Sequence, residues 1–522
     1  MRHNNNISKT SLQTLSPQEG YSLVSNSANT METVYCGTRF RNLKGMGWIV
    51  TCLFIVGETA GGGLIAMPTA MVSAGLWGGI LIIMIGAIMC AYTGNLLSEN
   101  WTILQQRWPE YRTHCRKPYP AMGLRALGPR FMTIVSSCLN VTQFGTAVVF
   151  LLLASKNIEN FLRAFAGVEI GFCYLVLVVA AFMLPFTMLK SPKDFWWAVI
   201  GAMITTSVAV CLIIYGTLSD AAVCLKEVHY PPVVPRRFLM CFGTVMFAYG
   251  GHGAFPTIQH DMKKPYNFKR SVYTAFLIIF FMYLPVSVSG YVVYGDSLRD
   301  SVIPSLQHMP VQQAVNILIT LHVILALTIV FNPLNQELEE LLNVPLQFGW
   351  QRVAARTSMM AAVVVVAETV PNFGVLLDLV GGSTITLMAL IFPVIFNFFA
   401  SAGNKKYDGV AAAKDEQPLS FMEAVRYTSK PKLAIFAFIL VFAIVGGGTA
   451  SLSALSTMVN SEFSQPCYAW IWTPTDTVLN PTTALNHSGF VHCCGIYKNI
   501  SVYNSGSMCL SPDVSLSSGS HG

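Results

Sequence analysis

Residues 47–70 form an apolar run long enough to cross a bilayer, yet the run is interrupted. It contains Gly57-Glu58-Thr59-Ala60-Gly61-Gly62-Gly63-Leu64-Ile65-Ala66-Met67-Pro68: a carboxylate, three consecutive glycines and a proline. Glycine is cheap where a backbone must leave helical geometry and costs about 1 kcal/mol per residue in a helix interior. In hydrocarbon every backbone N–H and C=O needs a partner, so broken helix persists only where protein or a polar cavity surrounds it. The stretch reads as a transmembrane helix interrupted so that its freed backbone groups can meet something bound there.

The remainder of the chain agrees with a membrane setting. Charged residues make up 11% of it and hydrophobic residues 53%, whereas soluble domains carry roughly 25% charged residues. A surface so poor in charge belongs in lipid. Further apolar runs fall at about 76–98, 131–155, 172–189, 194–217, 238–260, 271–293, 312–332, 354–371, 374–400 and 432–455, each of the length a bilayer requires. The expected fold is therefore an all-α integral membrane protein of eleven transmembrane helices. Residues 1–46 read as a polar, disordered cytoplasmic tail without a cleavable signal peptide, 47–455 as the helical domain, and 456–522 as a second tail.

Charge placement orients these spans. With the amino terminus inside, the outer segments hold only Lys156, Arg163, Lys226, Arg236, Arg237, Arg299 and Lys498 of the chain's 32 lysines and arginines, a strong positive-inside bias. The net charge of +7 is thus spread over short loops and does not form a nucleic-acid surface. The same orientation puts the carboxy-terminal tail outside or in a lumen, where the sequons at Asn486 and Asn499 can be glycosylated and Cys467, Cys493, Cys494 and Cys509 can form disulfides.

The sixth run repeats the anomaly of the first. Phe247-Ala248-Tyr249-Gly250-Gly251-His252-Gly253-Ala254-Phe255-Pro256 again combines glycines, an ionisable side chain and a proline. Interruptions at positions one and six of eleven suggest two five-helix halves of inverted topology plus one extra helix, an arrangement that places substrate near the bilayer midplane. Helix N-termini and free N–H groups suit a carboxylate, and freed carbonyls suit an ammonium. A zwitterionic amino acid satisfies both. The isolated cluster Gly446-Gly447-Gly448 reads instead as close helix packing.

These residues resemble a known family. The run from Phe242 to Phe268, with Asp261-Met262 after the broken segment, resembles the sixth-helix signature of the amino acid/auxin permease family, particularly its vacuolar and vesicular branches. Gly57 to Pro68 resembles its first-helix pattern. Pro371-Asn372-Phe373-Gly374 leading to Leu379-Val380-Gly381-Gly382-Ser383 resembles its ninth-to-tenth helix signature. The resemblance covers roughly residues 45–455 and implies the fold of the bacterial leucine transporter, with secondary active, often proton-coupled, amino acid transport. It also implies a disulfide between Cys173 and Cys224. Glu58 stands where the family more often has a neutral residue.

The expected substrate site comprises Gly57, Thr59, Ala60, Gly61, Gly62 and Gly63 of the first break with Phe247, Ala248, Tyr249, Gly250 and Gly251 of the second. Glu58 and His252 are the candidates for proton coupling, because intramembrane ionisable groups are costly and usually functional. Glu58 could alternatively be a structural cap held by backbone N–H groups, and His252 a neutral histidine closing the helix break. His322 reads mainly as a packed histidine, Glu368 and Asp378 as solvated groups at a turn, and Asn140, Gln143, Ser383 and Thr384 as interhelical hydrogen bonders. The expected function is transport of small neutral amino acids coupled to protons rather than sodium, in a plasma or vesicular/lysosomal membrane, without cofactor or metal. An amino-acid sensor with little net transport is the competing class. A membrane enzyme has no zinc triad or paired intramembrane aspartates to recommend it.

Overall fold

The computed structural model describes residues 21–24, 33–36, 39–42, 45–460 and 468, except 113–114, 169, 189–195, 227, 346, 348, 371 and 412–415. Helices occupy every apolar window: α1 (Trp48–Thr59), α2 (Met67–Ala74), α3 (Leu76–Arg107), α4 (Pro118–Leu127), α5 (Pro129–Ala166), α6 (Phe172–Thr187), α7 (Trp196–Cys224), α8 (Pro235–Ala248), α9 (Phe255–His260), α10 (Phe268–Tyr294), α11 (Met309–Leu341), α12 (Trp350–Thr369), α13 (Phe373–Val380), α14 (Phe392–Lys406), α15 (Phe421–Tyr427) and α16 (Lys430–Asn460). Among the described residues seven helical segments are each long and apolar enough to cross a membrane, and α1 with the segment Leu64–Ala74, bent by 55°, makes an eighth. Between α13 and α14 the chain stays helical through two π-helical stretches, Gly381–Ile385 and Leu387–Ile391. Such widened turns are frequent at functional sites.

Local chemistry sets several boundaries. Gly75 (φ 72°) separates α2 from α3, and Gly128 (φ 90°) separates α4 from α5; a side chain at positive φ would be strained there. Prolines open α4, α5 and α8 at their first turn, where a missing N–H costs nothing. Ser420 and Glu423 cap each other's backbone at the start of α15, the reciprocal arrangement of a capping box.

Two features depart from the expectations. The polar region before α1 contains three short strands, Tyr21–Val24, Thr33–Cys36 and Arg39–Asn42, paired antiparallel in chain order, so among the described residues the architecture is helical apart from this small sheet. Asp378 and Glu368, expected in solvent, are 9% and 6% exposed. Thr244 of α8 donates a short hydrogen bond to Asp378 Oδ1, because α13 packs against α8 rather than merely leaving a turn. Ser383 donates to Leu379 of its own helix at 2.5 Å, and the buried Thr384 hydroxyl has no partner among the described residues. The tail sequons Asn486 and Asn499 and cysteines Cys467, Cys493, Cys494 and Cys509 lie outside the described residues.

Most of the core is a continuous apolar cluster in which α1, α3, α5, α7, α8, α10 and α11 all take part, and a small second cluster joins Ala70 and Ala74 of α2 to Cys241 of α8. Gly446 of α16 faces the Phe242 ring of α8, and Gly447 lies on the Gly382 carbonyl, which is the close packing expected for that cluster. Where helices end in polar surroundings, ion pairs link them: Glu339 of α11 takes Arg352 Nε at 3.0 Å and Arg356 Nε at 2.5 Å from α12, all buried. Arg356 also donates to the Thr187 carbonyl at the end of α6.

Candidate functional site

Helix α1 ends at Thr59, and the chain leaves helical geometry at Ala60 (φ −82°, ψ 95°). Gly57 and Glu58 therefore belong to the helix and the break proper is Ala60 to Gly63. None of Gly61, Gly62 and Gly63 has positive φ, so their freedom of dihedral angle is not what the break uses. Close approach is. A Cβ on Gly63 would lie 2.5 Å from the Ala248 Cα, one on Gly62 would lie 3.1 Å from the Phe150 ring, and one on Gly61 would overlap His322 Nε2. Gly57 packs in the same way on α7, where a Cβ would meet the Val199 carbonyl at 2.7 Å.

The second break follows α8, where Tyr249 closes the helix and Gly250 to Ala254 lead into α9. It lies against the first. A Cβ on Gly251 would be 2.7 Å from Thr59 Oγ1, and Gly250 faces Ile385 of the first π-helical stretch. Phe247 meets Phe150 edge-on at 6.5 Å between centroids. Tyr249 is fully buried against Tyr283 and Phe276. The two breaks are joined by Tyr283 of α10, whose hydroxyl is 2.8 Å from the Ala248 carbonyl and 3.1 Å from the Thr59 carbonyl. A second junction precedes α1, where Met46 N–H donates to Asp261 O at 2.9 Å and Lys263 N–H donates to Met46 O at 2.8 Å. On the other side the α10–α11 connection covers the start of α2, with Val302 N–H donating to Ile65 O at 3.0 Å.

Residues 60–68 are buried throughout, yet the N–H groups of Gly62 and Gly63 donate no hydrogen bond among the described residues, nor do those of Gly251 and Gly253. The hydroxyls of Thr59 and Tyr249 are likewise buried and unpartnered there. Buried orphan donors are rare in folded chains. A cluster of them between two broken helices is an arrangement able to receive an anionic group such as a carboxylate.

The ionisable residues separate. Glu58 is half-buried and its carboxylate has no hydrogen-bond or ion-pair partner among the described residues, so backbone N–H groups do not cap it. His252 turns to α3: its Nε2 is 2.9 Å from the Cys90 carbonyl and 3.2 Å from Thr93 Oγ1, its ring lies over Phe255, and Nδ1 has no partner among the described residues. His322 reaches the first break from α11, with Nδ1 2.8 Å from Thr206 Oγ1 and 3.0 Å from the Ala202 carbonyl of α7. Sequence reasoning missed Tyr283 altogether, since a tyrosine in an apolar helix carries no local sign of its partners. It registered His322 as ionisable but not its place.

The family described as "Transmembrane amino acid transporter protein" matches residues 44–407. Among characterised relatives, "Amino acid transporter AVT1B" of Arabidopsis thaliana is 26% identical over 349 residues, 65% of this chain and 62% of the relative. "Amino acid transporter AVT1D" of the same plant is 25% identical over 413 residues, 76% of this chain and 68% of the relative. Its "Lysine histidine transporter-like 4" is 22% identical over 381 residues, 67% of this chain and 80% of the relative. With the match extending over most of the chain and enclosing both broken helices, this protein belongs to the transmembrane amino acid transporter family, a family of multi-pass membrane transporters rather than enzymes.

Proposed function

We propose that the chain is a secondary active transporter of small neutral amino acids, coupled to protons, that works by alternating access around its two broken helices. The observation that carries this reading is the set of N–H groups without a partner among the described residues, at the buried Gly62 and Gly63 and the half-buried Gly251 and Gly253, held between two interrupted helices. The substrate carboxylate meets the N–H groups of the first break, and the ammonium meets carbonyls of the second. Phe247 and Tyr249 wall the site, and the small residues around them leave room for a short side chain. The relatives named as amino acid transporters support the same substrate class.

In this reading the spans number eleven: α1–α2, α3, α5, α6, α7, α8–α9, α10, α11, α12, α13–α14 and α16. The first ten form two inverted halves, and the eleventh is the extra helix. The amino terminus is cytoplasmic and the carboxy-terminal tail, with Asn486 and Asn499, is extracellular or lumenal, in a plasma or vesicular membrane. A disulfide joins Cys173 to Cys224. Its support is that both stand apart from the free thiols Cys52, Cys90, Cys115, Cys138, Cys211 and Cys241. Glu58 exchanges the coupling proton, supported by a carboxylate that has no partner among the described residues. His252, engaged with α3, acts with it by adjusting the second break.

Uptake of a radiolabelled amino acid panel into proteoliposomes, with and without an imposed pH gradient, tests the proposal. Concentrative, gradient-driven uptake of small neutral amino acids is expected. Saturable binding without accumulation would identify an amino-acid sensor instead.

A further inference from the structure

The residue that packs most intimately on the first break is not among those assigned to it. His322 lies in the middle of α11 and is 1% exposed. Its imidazole edge fills the space that a side chain on Gly61 would need. The other edge is anchored: Nδ1 sits 3.0 Å from the Ala202 carbonyl and 2.8 Å from Thr206 Oγ1. A carbonyl only accepts, so Nδ1 carries the hydrogen and the neutral ring presents Nε2 as a lone pair. That Nε2 has no hydrogen-bond partner among the described residues and points at the unwound backbone of the first break.

We propose that His322 is a second proton-binding site of this transporter, acting in series with Glu58 at the first break. Nε2 takes a proton from water entering on one side, giving an imidazolium with both N–H bonds in place, and returns it to water on the other. Nδ1–H stays on Ala202 throughout. In the neutral ring an acceptor edge faces the carbonyl-bearing backbone at Gly61. In the imidazolium a charged donor does, so proton uptake tightens α11 on α1 and proton loss releases it.

The neighbouring elements leave this ring without a competing charge partner. On α7, Asp220 is taken by the Tyr294 hydroxyl and the Gln307 N–H, and Cys211 is exposed. On α5, Glu159 binds Lys156 and Arg163, and Cys138 contacts the Thr384 carbonyl. On α12, Arg352 and Arg356 hold Glu339, while Glu368 is buried near the far end. On α6 the titratable side chain is Tyr174, at its first turn. On α1 the titratable groups are Cys52 and Glu58, and Glu58 lies one turn before Gly61.

This proposal rests on the breaks being the transport site, and the experiment separates the two. The full chain and its His322→Gln variant are reconstituted, and acid-gradient-driven uptake is divided by counterflow of labelled against unlabelled alanine, which requires no net proton movement. The ratio is expected to fall about tenfold or more in His322→Gln, the rate effect of losing a proton-transfer group. An unchanged ratio overturns the role of His322 alone. A wild-type protein with neither uptake nor counterflow overturns the transport reading itself. Should His322→Gln fail to fold, Thr206→Val decides: loss of the hydroxyl on Nδ1 is expected to move the pH midpoint of uptake by about 0.5–1 unit, and an unmoved midpoint overturns the proposal.

Discussion

Gly63 and Ala248 are in backbone contact: a Cβ on the glycine would lie 2.5 Å from the Ala248 Cα and 3.1 Å from its amide nitrogen. Neither atom is the end of a flexible side chain, so the broken helices can be this close only while position 63 is glycine. Gly63→Ala is expected to destabilise the fold by ~1–3 kcal/mol, as overpacking does, and to abolish uptake. Gly448→Ala is the control, since nothing lies within 4 Å of a Cβ there. Thermal unfolding of the purified proteins and uptake together check this. Gly251→Leu, pressed on Thr59 Oγ1, is expected to block transport with surface expression intact.

The Tyr283 hydroxyl serves two carbonyls, those of Thr59 and Ala248. Tyr283→Phe leaves the ring in place and removes that shared donor, so a loss of ~1 kcal/mol is expected. Its clearest effect should be on transport, because the geometry of both breaks depends on it. Uptake rates equal to wild type would mean that Gly63 and Ala248 position the breaks unaided.

Glu58 has no partner among the described residues to neutralise it, which is costly within a bilayer unless the group has a task. Glu58→Gln preserves shape and hydrogen bonding while removing the proton site. The ratio of gradient-driven to gradient-free uptake in proteoliposomes is expected to fall about tenfold, equivalent to some 1.4 kcal/mol in a barrier. An unaltered response to the gradient would exclude Glu58 from coupling.

Glu339 pairs with both Arg352 and Arg356 in a buried cluster. Glu339→Gln leaves two guanidiniums facing a neutral amide, and breaking a buried pair from one side typically costs ~3–5 kcal/mol. A large drop in the unfolding temperature in detergent is expected. Glu340→Gln, whose side chain is 49% exposed beside Lys117 and Arg116, should change it little.

Glu423 docks α15 onto α14. A hydrogen bond from Lys406 Nζ at 2.7 Å, with further bonds from the Ser420 N–H and hydroxyl, holds its carboxyl at about 2, below the ordinary 4.5. A depressed folded value means that the contribution is complete above the unfolded value and is lost as pH falls from 4.5 through about 2. The protection of α15 amides, taken relative to their intrinsic pH-dependent exchange rates, should be steady from neutrality down to that window and fall within it. Glu423→Gln should remove the transition.

The apolar windows and the two interruptions were legible because each is a local property of the chain. A run of some twenty apolar residues must form helix in lipid, where no other structure satisfies its backbone, and a glycine cluster beside a charge is conspicuous inside one. Position 63 shows where local reading stops. Its glycine is needed for contact with Ala248, 185 residues away in sequence, and not for dihedral freedom. Asp378 looked like a solvated turn residue, since nothing near it in sequence announces that Thr244 will cover it. His322 reads as packing because histidine in an apolar helix usually is, and Tyr283 draws no reading at all, since nothing near it in sequence marks its partners.

The sequence by itself determined that this chain is a helical membrane protein with two broken spans and the signature of an amino acid transporter family, since hydropathy, glycine content and motif are written along the chain. Only the tertiary structure decided that Gly63 meets Ala248, that Tyr283 joins both breaks, that His252 turns to α3 and that His322 turns to Gly61. Those pairings depend on how helices distant in sequence pack side by side, and the residues that make them, small or aromatic, look the same in sequence whether they face a neighbour, a substrate or lipid.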